Sequence, residues 1–196
     1  MIHPDTELRF ISDAIGYGVV AKKLIPKGTI TWVQDELDRV FTAEDEAKLS
    51  PLIRTHFETY CFTNNKGEKV LCWDNAKFVN HSFNSSCMST AYDFEIAVRD
   101  IQPGEQLTDD YGYLNVEEPF EAVDEGFDRK VVYPDDILRY YPQWDAAITE
   151  NLPLINRLDQ PLRQFIPQTV LDEVKRVLDG TAELRSLLTC YYDPKK

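Results

Sequence analysis

The sequence predicts an α+β fold, mainly β, with a body of short strands and a helical C-terminal extension. Short runs rich in β-branched and aromatic residues, separated by turns that contain Gly and Pro, fill the first part of the chain. Apolar residues at helical spacing fill the last part. Strands followed by helices are typical of α+β proteins, and the pattern changes after Tyr113. We therefore predict two parts, residues 1–113 and residues 114–196.

The length of the chain suits one main core. It has 196 residues, of which 43% are hydrophobic and 12% aromatic, so it can bury the apolar surface that a globular domain needs. Two full domains with separate cores would need a longer chain.

Two stretches of the body share one strand–turn–strand pattern. In each stretch, Pro fixes the backbone at the entrance of the turn and Gly gives a permissive exit. The first has strands at 18–22 and 29–33 around a turn at 25–28, and the second has strands at 95–99 and 106–108 around a turn at 100–105. Two copies are too few for a repeat protein.

A β-hairpin is predicted between these stretches. Residues 60–63 and 68–73 have strand character, and the sequence Asn-Asn-Lys-Gly at 64–67 favours a turn. Before the hairpin, residues 42–57 have helical character but contain Pro51, which removes a backbone donor. We expect a helix there that is broken at Pro51.

The helical extension follows an acidic connector at residues 115–130. Apolar residues from Val170 to Leu178 recur at helical spacing, with Thr169 placed to cap the start and Gly180 the end. Two further helical stretches are predicted, at residues 135–150, interrupted near Pro142, and at residues 182–188.

The net charge limits the partners of the protein. Lys and Arg number 21 against 34 Asp and Glu, a formal net charge of −13. This charge repels nucleic acid and anionic lipid and attracts cationic partners. No apolar run is long enough to span a bilayer, and residues 1–15 lack a secretory leader pattern. We expect no nucleic-acid or membrane partner, and a location in the cytoplasm, or in the nucleus if the source is eukaryotic, without secretion.

The cysteines and histidines predict no metal site. The 4 cysteines are widely spaced without a Cys-x-x-Cys pair, and no two of the 3 histidines lie four residues apart on a predicted helix. We expect the cysteines to be reduced thiols in the core or near the surface.

The first candidate functional segment is Gly-Tyr-Gly-Val-Val-Ala at residues 16–21. It matches the loose dinucleotide fingerprint G-x-G-x-x-A. That site needs a helix directly after the glycines, and here Pro26 and Gly28 form a turn before a helix could develop. The two glycines allow the backbone to approach a ligand or another strand closely, unless they only form a tight turn before a strand.

The second segment is residues 77–88, where Asn80 and His81 follow an apolar pair. Asn80 can orient a zwitterionic ligand because it both donates and accepts hydrogen bonds, and His81 offers ring and backbone groups to a heterocycle. The same residues also suit a polar turn held by side-chain bonds to the backbone. A catalytic pair of His81 with Cys72 or Cys87 is a further alternative, although the sequence supplies no third member.

The third segment is residues 101–112, which ends in Asp109-Asp110-Tyr111-Gly112. Adjacent residues of a strand face opposite ways, so Asp109 and Asp110 could not form a carboxylate pair with each other. Tyr111 has the position of an aromatic residue at a strand end, which is a common structural place for tyrosine.

Taken in order, the three segments resemble the SET-domain family of S-adenosylmethionine-dependent protein lysine methyltransferases. The motifs G-Y-G-V-V-A with I-P-K-G-T, then K-F-V-N-H-S, then I-Q-P-G-E-Q-L-T-D-D-Y-G follow each other between about Arg9 and Tyr113. The resemblance implies a SET-type body of small sheets with a pseudoknot-like site, in which the last motif passes through a loop near the second. It also implies an enzyme that transfers a methyl group from S-adenosylmethionine to a lysine side chain of a protein.

The resemblance assigns the cofactor contacts to residues of the first two motifs. By this similarity, the backbone of Gly16, Tyr17 and Gly18 would meet the methionine part of S-adenosylmethionine. Asn80 would hold the amino and carboxyl groups of that part. His81 would meet the adenine mainly through backbone atoms.

The resemblance also implies catalytic residues. Tyr111 would be the active-site tyrosine and would touch the cofactor as well, and Tyr60 would be an aromatic residue of the lysine channel. No metal would be required. The partner would be a lysine-bearing basic protein or peptide.

The chain departs from the usual family pattern at several positions. Lys77 stands where the family usually has arginine, Phe83 where it has cysteine, and Ser85-Ser86 where it has Pro-Asn. The zinc-binding cysteine cluster that follows the SET core in many histone enzymes is absent from the sequence, since Cys190 is the one cysteine downstream. These departures keep open the alternative of a SET-like binding or scaffold module without catalysis.

Another part of the chain must then cover the site. The downstream aromatic residues Tyr113, Phe120, Phe127 and Tyr133 are candidates, and the helix at 170–178 would serve as a wall. Acidic residues in the same region predict a negative rim that steers a lysine-rich partner toward the site, and these are Glu117, Glu118, Glu121, Asp124 and Glu125.

Overall fold

The structure, a computed structural model, describes residues 1–194. The strands are β1 (Thr6–Ser12), β2 (Gly16–Ala21), β3 (Ile30–Val33), β4 (Arg39–Phe41), β5 (Cys61–Thr63), β6 (Lys69–Leu71), β7 (Asn80–His81), β8 (Cys87–Ser89), β9 (Phe94–Ala97), β10 (Thr108–Asp109), β11 (Phe120–Glu121) and β12 (Val131–Val132). The α-helices are α1 (Ala43–Ala47), α2 (Pro51–Tyr60), α3 (Asp136–Asn151) and α4 (Gln168–Leu178). Short 3-10 helices lie at Asn75–Phe78, Tyr111–Tyr113, Leu152–Asn156, Arg163–Phe165 and Leu187–Cys190. None of the helices within residues 1–194 has the length and apolar character that a bilayer crossing needs.

The strands form small separate sheets. Two of them have three strands, in the orders β3-β9-β8 and β4-β6-β5, and the pairs β1-β2, β7-β10 and β11-β12 form the others. Within the described residues, β7 with β10 is parallel and every other pair is antiparallel. Small sheets followed by helices confirm the predicted fold class.

The two strand–turn–strand stretches pair with each other. Ile25 and Ile101 exchange both backbone hydrogen bonds, at 3.0 and 2.9 Å. The two strands of the first stretch lie in different sheets, β2 beside β1 and β3 beside β9. The Leu107 N–H donates to the Val19 carbonyl at 2.8 Å. The pairing therefore places the Gly-x-Gly strand β2 next to the chain that leads into β10.

The predicted hairpin and the broken helix are both confirmed. Between the antiparallel strands β5 and β6, the Asn64 side chain accepts from the backbone N–H groups of Lys66 and Glu68 at 2.9 and 3.0 Å. Pro51 is the first residue of α2, after the cap residue Ser50. The first N–H groups of a helix have no intrahelical acceptor, so the proline at this position separates α1 from α2 without destabilising α2.

The start of α4 differs from the prediction. The helix begins at Gln168 with Pro167 as its N-cap residue, so the expectation that Thr169 caps it is wrong. The fixed φ of proline, here −55°, suits the beginning of a helix. The expected end is confirmed, since Gly180 follows the helix with a φ of 71°.

The expected interruption at Pro142 is wrong, because α3 continues through it. Pro142 and Leu138, one turn before it, are both exposed. The carbonyl group that lacks a helical donor therefore lies on the solvent side of α3, where water can satisfy it.

The expected helix at residues 182–188 is also wrong, because only a 3-10 turn at Leu187–Cys190 forms there. Arg185 donates from its backbone N–H to the Tyr92 hydroxyl at 2.9 Å and from its guanidinium to the Ala91 carbonyl at 2.8 Å. These bonds hold the segment against the body without a helix.

The helical extension shares the larger hydrophobic core with the body. Ile96 of β9, Ile148 of α3 and Val174 of α4 are buried in the same cluster. A second, smaller core lies under β2 and the paired turns and includes Val19 and Leu107. The residues after the predicted boundary at Tyr113 are thus packed on the body and complete its core.

Candidate functional site

A parallel strand pair joins the second and third sequence motifs. Asn80 of β7 lies opposite Thr108 of β10, and His81 lies opposite Asp109. Parallel strands need a long connection, which residues 82–107 supply here. The pairing brings two motifs that are distant in sequence to one place, as the pseudoknot-like arrangement requires.

Asn80 connects these motifs to the first one. Its side-chain Nδ2 donates to the Tyr17 carbonyl at 3.1 Å and to Gln106 Oε1 at 2.9 Å. A Cβ atom on Gly18 would lie 2.4 Å from Gln106 Oε1 and 2.7 Å from Asn80 Nδ2, so a side chain at Gly18 would break this junction. Within residues 1–194 no donor reaches Asn80 Oδ1, so this oxygen is available to an N–H group of a ligand.

A row of aromatic rings lies beside this junction. Ring centroids are 5.7 Å apart for Phe10 and Tyr17, 6.5 Å for Tyr17 and Phe78, and 5.2 Å for Phe78 and Tyr60. Tyr17 is 54% exposed and Phe10 53% exposed. Exposed rings next to the polar Asn80 suit a ligand that has a ring at one end and charged groups at the other.

Tyr111 is fixed by two hydrogen bonds. Its hydroxyl donates to the Val79 carbonyl at 2.7 Å, and its backbone N–H donates to His81 Nδ1 at 3.1 Å. Burial, and then the charge of Asp109, raise the pKa of the Tyr111 hydroxyl above its usual range. The hydroxyl therefore keeps its proton at neutral pH and stays bonded to the Val79 carbonyl.

His81 serves the site through its side chain. Burial is the main cause that lowers its pKa to about 4, and the charge of Arg129 acts in the same direction. Since Nδ1 accepts from Tyr111, the neutral ring carries its proton on Nε2, which is buried and has no partner within residues 1–194. The ring packs against Phe83, Tyr111 and Phe120, with centroids 4.4, 5.3 and 5.8 Å away. The resemblance assigned His81 mainly backbone contacts with the adenine, and the structure adds a role for its ring, which accepts a hydrogen bond from the Tyr111 N–H.

The low pKa of His81 predicts a pH-dependent contribution to stability. The folded-state pKa is about 4 and the reference value is 6.5, so between these values the unfolded chain binds a proton that the folded chain does not. Stability should therefore rise with pH across this window and be lost on acidification. His81→Asn retains an acceptor near Nδ1 and removes the titration. We expect the difference in unfolding free energy between the wild type and His81→Asn, measured by urea denaturation, to grow from pH 4 to pH 6.5. A difference that does not vary with pH would contradict this assignment.

A cavity of 680 Å³ contains both candidate catalytic tyrosines, Tyr60 and Tyr111, in its lining. No residue of α4 lines it, so the expectation that the helix at 170–178 forms a wall is wrong, because the apolar face of α4 packs into the core. The C-terminal wall is formed instead by Arg185, Leu187 and Cys190, among others.

Asn115 holds this C-terminal wall in place. Its Nδ2 atom donates to the carbonyls of Thr63 and Cys190 at 3.0 and 2.9 Å, and its Oδ1 accepts from the Tyr192 N–H at 2.9 Å. One buried side chain thus ties the hairpin to the C-terminal segment. The acidic connector begins at Asn115, and the sequence pattern did not predict this role.

The cavity lining includes two buried acidic residues that are hydrogen-bonded to each other, Glu95 of β9 and Asp109 of β10. The argument that Asp109 and Asp110 face opposite ways is confirmed, since Asp109 meets Glu95 and Asp110 meets Arg129. The contact between Glu95 and Asp109 was not predicted from the sequence. Its signal was Glu95, a charged residue between the apolar neighbours Phe94 and Ile96 on a predicted strand.

Arg129 joins the third motif to the helical extension. Its guanidinium forms salt bridges with Asp110 and Asp136, both nearly fully buried. It also lies over the rings of Phe83 and Tyr140, 4.5 and 4.4 Å from their centroids. No motif pointed to this residue, although it fixes the segment that carries Tyr111.

The four aromatic residues expected to cover the site have different positions. Phe120 contacts Tyr111 with ring centroids 5.9 Å apart and also contacts His81. Tyr113 is buried, donates to Asp109 Oδ1 at 3.0 Å and belongs to the cavity lining. Phe127 and Tyr133 border a separate cavity near Arg129. Phe120 is therefore the residue of this set that covers the Tyr111–His81 pair.

The acidic connector is partly engaged in the fold. Glu125 accepts from the Ser82 hydroxyl and the Phe83 N–H, both at 3.1 Å. Glu117 pairs with Lys69 at 2.6 Å and Asp124 pairs with Lys130. Within residues 1–194, the remaining two members of the predicted rim, Glu118 and Glu121, form no ion pair and are exposed.

The cysteines do not form a nucleophilic site. Burial raises the pKa of Cys61 and Cys190 to about 11 and the pKa of Cys72 and Cys87 beyond that range. A thiol of this kind stays protonated at neutral pH and is a poor nucleophile. Since His81 Nδ1 is also occupied, the structure gives the Cys–His alternative no support. Within residues 1–194, no group of three His, Cys, Asp or Glu side chains is arranged to hold a metal.

The comparison with protein families agrees with the motif pattern. A model of the SET domain family matches residues 16–112, which contain all three motifs. Among solved structures, the crystal structure of a candidate histone methyltransferase from Plasmodium falciparum matches with a TM-score of 0.42 and 17% sequence identity, over 56% of this chain and 95% of that one. The chain has no significant match among curated proteins.

Proposed function

This chain carries a SET domain at residues 16–112 and belongs to that family of methyltransferases, and on this premise we propose that it methylates lysine side chains of proteins with S-adenosylmethionine. The observation that carries the proposal is the junction of the three motifs. There Asn80 bonds the Tyr17 carbonyl, His81 positions Tyr111, and Tyr111 shares a cavity with Tyr60.

The residues at the junction fit S-adenosylmethionine. When bound, this cofactor supplies a methyl group on a positively charged sulfur. The backbone of Gly16 and Tyr17 and the free Oδ1 atom of Asn80 would hold the amino acid end of the cofactor, and the exposed ring of Phe10 and the half-buried ring of Phe78 both contact Tyr17. The close packing at Gly18 keeps Asn80 and Gln106 in register for this contact.

Lysine must lose a proton before its nitrogen can attack a methyl group. With a pKa of about 10.4, roughly one lysine in 2,500 is neutral at pH 7. An aromatic channel beside Tyr60 and Phe78 would favour the neutral amine by desolvation. Tyr111 would orient the reacting groups, because its hydroxyl is fixed by the Val79 carbonyl and its backbone by His81.

We expect Asn80→Ala to weaken S-adenosylmethionine binding by about 1–3 kcal/mol, which is roughly 5- to 150-fold in Kd. The substitution removes the Oδ1 acceptor and also the bonds to the Tyr17 carbonyl and Gln106. Isothermal titration calorimetry measures the affinity. Asn84→Ala is the matched control, because Asn84 is exposed and its side chain makes no hydrogen bond within residues 1–194. Equal affinity of the folded Asn80→Ala protein and the wild type would contradict the assignment.

The substrate we propose is a lysine-rich, basic protein or peptide. The protein has a net charge of −13, and the exposed Glu118 and Glu121 follow Tyr111 closely in sequence. A negative surface near the cavity would raise the association rate of a cationic partner.

The direct test is transfer of a radiolabelled methyl group from S-adenosylmethionine to the proteins of a cell lysate. We expect label on lysine in a small set of proteins, which mass spectrometry then identifies. Cofactor binding without transfer to any protein would favour the scaffold alternative. Absence of cofactor binding would contradict the proposed methyltransferase function.

A further inference from the structure

The buried acid pair, Glu95 with Asp109, is not explained by the fold. Glu95 lies on the central strand of its sheet, opposite Trp32 on one side and Ser89 on the other. Glu95 is 8% exposed and Asp109 4% exposed. Two carboxyl groups in this environment cost stability unless a proton or a cation compensates them.

The charge of the acid pair follows from its burial and from the contact between its two carboxyl groups. A hydrogen bond between them requires one to be protonated, and two adjacent ionised carboxylates would repel each other. The Ser89 hydroxyl donates to Glu95 Oε1 at 3.1 Å, and the Tyr113 hydroxyl donates to Asp109 Oδ1 at 3.0 Å. Burial raises the pKa of Glu95 well above its usual range and that of Asp109 to about 6. The pair therefore carries one proton and one negative charge at pH 7.

The groups around the pair do not neutralise this charge. Asp110 and the thiols of Cys72 and Cys87 face it, as do the hydroxyls of Tyr111 and Tyr113, and the Met1 ammonium acts on it at longer range. That ammonium is itself paired with Asp35 at 2.7 Å. Within residues 1–194, no Lys or Arg forms a salt bridge with Glu95 or Asp109. A buried negative charge without a protein cation suits a site that receives a cation from a ligand.

The pair faces the proposed lysine site. Glu95 and Asp109 belong to the lining of the cavity that also contains Tyr60 and Tyr111. Asp109 is two residues before Tyr111, and its charge acts on the Tyr111 hydroxyl. A lysine that enters beside Tyr60 would thus bring its ammonium group toward a single buried negative charge.

We propose that the Glu95–Asp109 pair binds the ammonium of the substrate lysine and accepts its proton, an inference that rests on the proposed function. An N–H bond of the ammonium breaks, the proton moves to the carboxylate oxygen, and the electron pair stays on the nitrogen as the lone pair of the neutral amine. The pair then holds two protons. After transfer, the methylated nitrogen carries the positive charge, and the pair returns to one proton by releasing the other to water.

The kinetic test is a pH profile of Asp109→Asn against the wild type, with the protein identified by lysate labelling as substrate. At pH 7 we expect kcat of Asp109→Asn to fall by at least about 10-fold, since a positioned acid or base contributes about 10²–10⁴. The gap should close toward pH 10, where lysine loses its proton in solution. A purely structural role would lower kcat equally at all pH values, and that result, or unchanged kcat, would overturn the proposal.

The matched controls distinguish the effect of a carboxylate charge from the effect of side-chain size. Glu95→Gln keeps the size of the side chain and a hydrogen bond to Asp109, but it removes the shared proton, so we expect a pH profile displaced from that of the wild type. Glu68→Gln changes another carboxylate of the cavity lining, whose partner is the Asn64 amide, and its profile should match the wild type. A displaced profile in Glu68→Gln with none in Glu95→Gln would overturn the assignment.

A second probe makes the inference testable without methyl transfer. n-Butylammonium has the end group and apolar chain of lysine, and its binding can be followed by NMR titration at pH 7. We expect Asp109→Asn to bind it at least about 10-fold more weakly than the wild type, as for a lost charge pair. Equal binding by both proteins, or no binding by the wild type, would overturn the acid-pair proposal. Absence of methyl transfer to any protein with n-butylammonium binding intact would instead overturn the proposed function.

Discussion

Tyr111→Phe is expected to lower kcat for lysine methylation by at least about 10²-fold, which is the typical cost of removing one preorganised polar group from a transition state. The hydroxyl is held by the Val79 carbonyl at 2.7 Å inside the cavity that contains Tyr60. The substitution keeps the ring and its contacts with His81 and Phe120. We expect S-adenosylmethionine affinity to change by less than about 10-fold, because one neutral hydrogen bond is lost.

The control for this prediction is Tyr133→Phe. Tyr133 is 41% exposed and borders the separate cavity near Arg129, and its ring contacts Arg139. Its hydroxyl has no place in the proposed site, so turnover should equal that of the wild type. Full turnover in Tyr111→Phe, with the identified substrate, would show that the hydroxyl is not part of the chemistry.

Arg129→Leu is expected to lower the free energy of unfolding by about 3–5 kcal/mol, the usual cost of removing one partner from a buried ion pair. The substitution leaves Asp110 and Asp136, whose side chains are 5% and 1% exposed, without their cation. It also removes the guanidinium that lies over Phe83 and Tyr140. Urea denaturation at pH 7 measures the loss.

An exposed ion pair of the same chemistry provides the comparison. Arg139 pairs with Asp135 at 2.6 Å, with side-chain exposures of 53% and 45%, so solvent screens this pair and Arg139→Leu should lower the free energy of unfolding far less than Arg129→Leu. The loss of stability in Arg129→Leu should also shrink as pH falls. Burial raises the pKa of Asp110 and the charge of Arg129 lowers it, so without Arg129 a proton neutralises this carboxylate more readily in the folded state. Equal losses in the two variants would contradict the view that Arg129 is a buried anchor.

The sequence was informative where structure depends on neighbours along the chain. The turn at residues 64–67, the break at Pro51 and the end of α4 at Gly180 follow from local backbone preferences, and all three are confirmed. The resemblance also implied that the third motif passes near the second, a long-range arrangement that periodicity alone does not contain, and the structure shows that the two motifs meet there as the parallel pair β7–β10.

The sequence did not predict the features that depend on tertiary contacts. Arg129 meets partners 19 and 7 residues away, and nothing around it marks it as buried. Pro142 was expected to interrupt a helix, and its exposed position on α3 explains why it does not. Asp109 was correctly separated from Asp110, but its partner Glu95 lies on a strand of a different sheet, so their contact depends on how the two sheets pack.

The junction at Asn80 also determines when the site can appear during folding. The Asn80 side chain bonds Tyr17 and Gln106, which are 63 and 26 residues away in the sequence. The β7–β10 pair closes a loop about as long as the shorter of these separations. Closing these loops costs chain entropy before the contacts stabilise the fold. Chains rich in long-range contacts therefore fold in about milliseconds to seconds. The hairpin β5–β6 can form early because its strands are adjacent in sequence. The proposed methyl-transfer site therefore forms late in folding, and a chain that has formed only its local hairpins lacks the junction that would hold the cofactor.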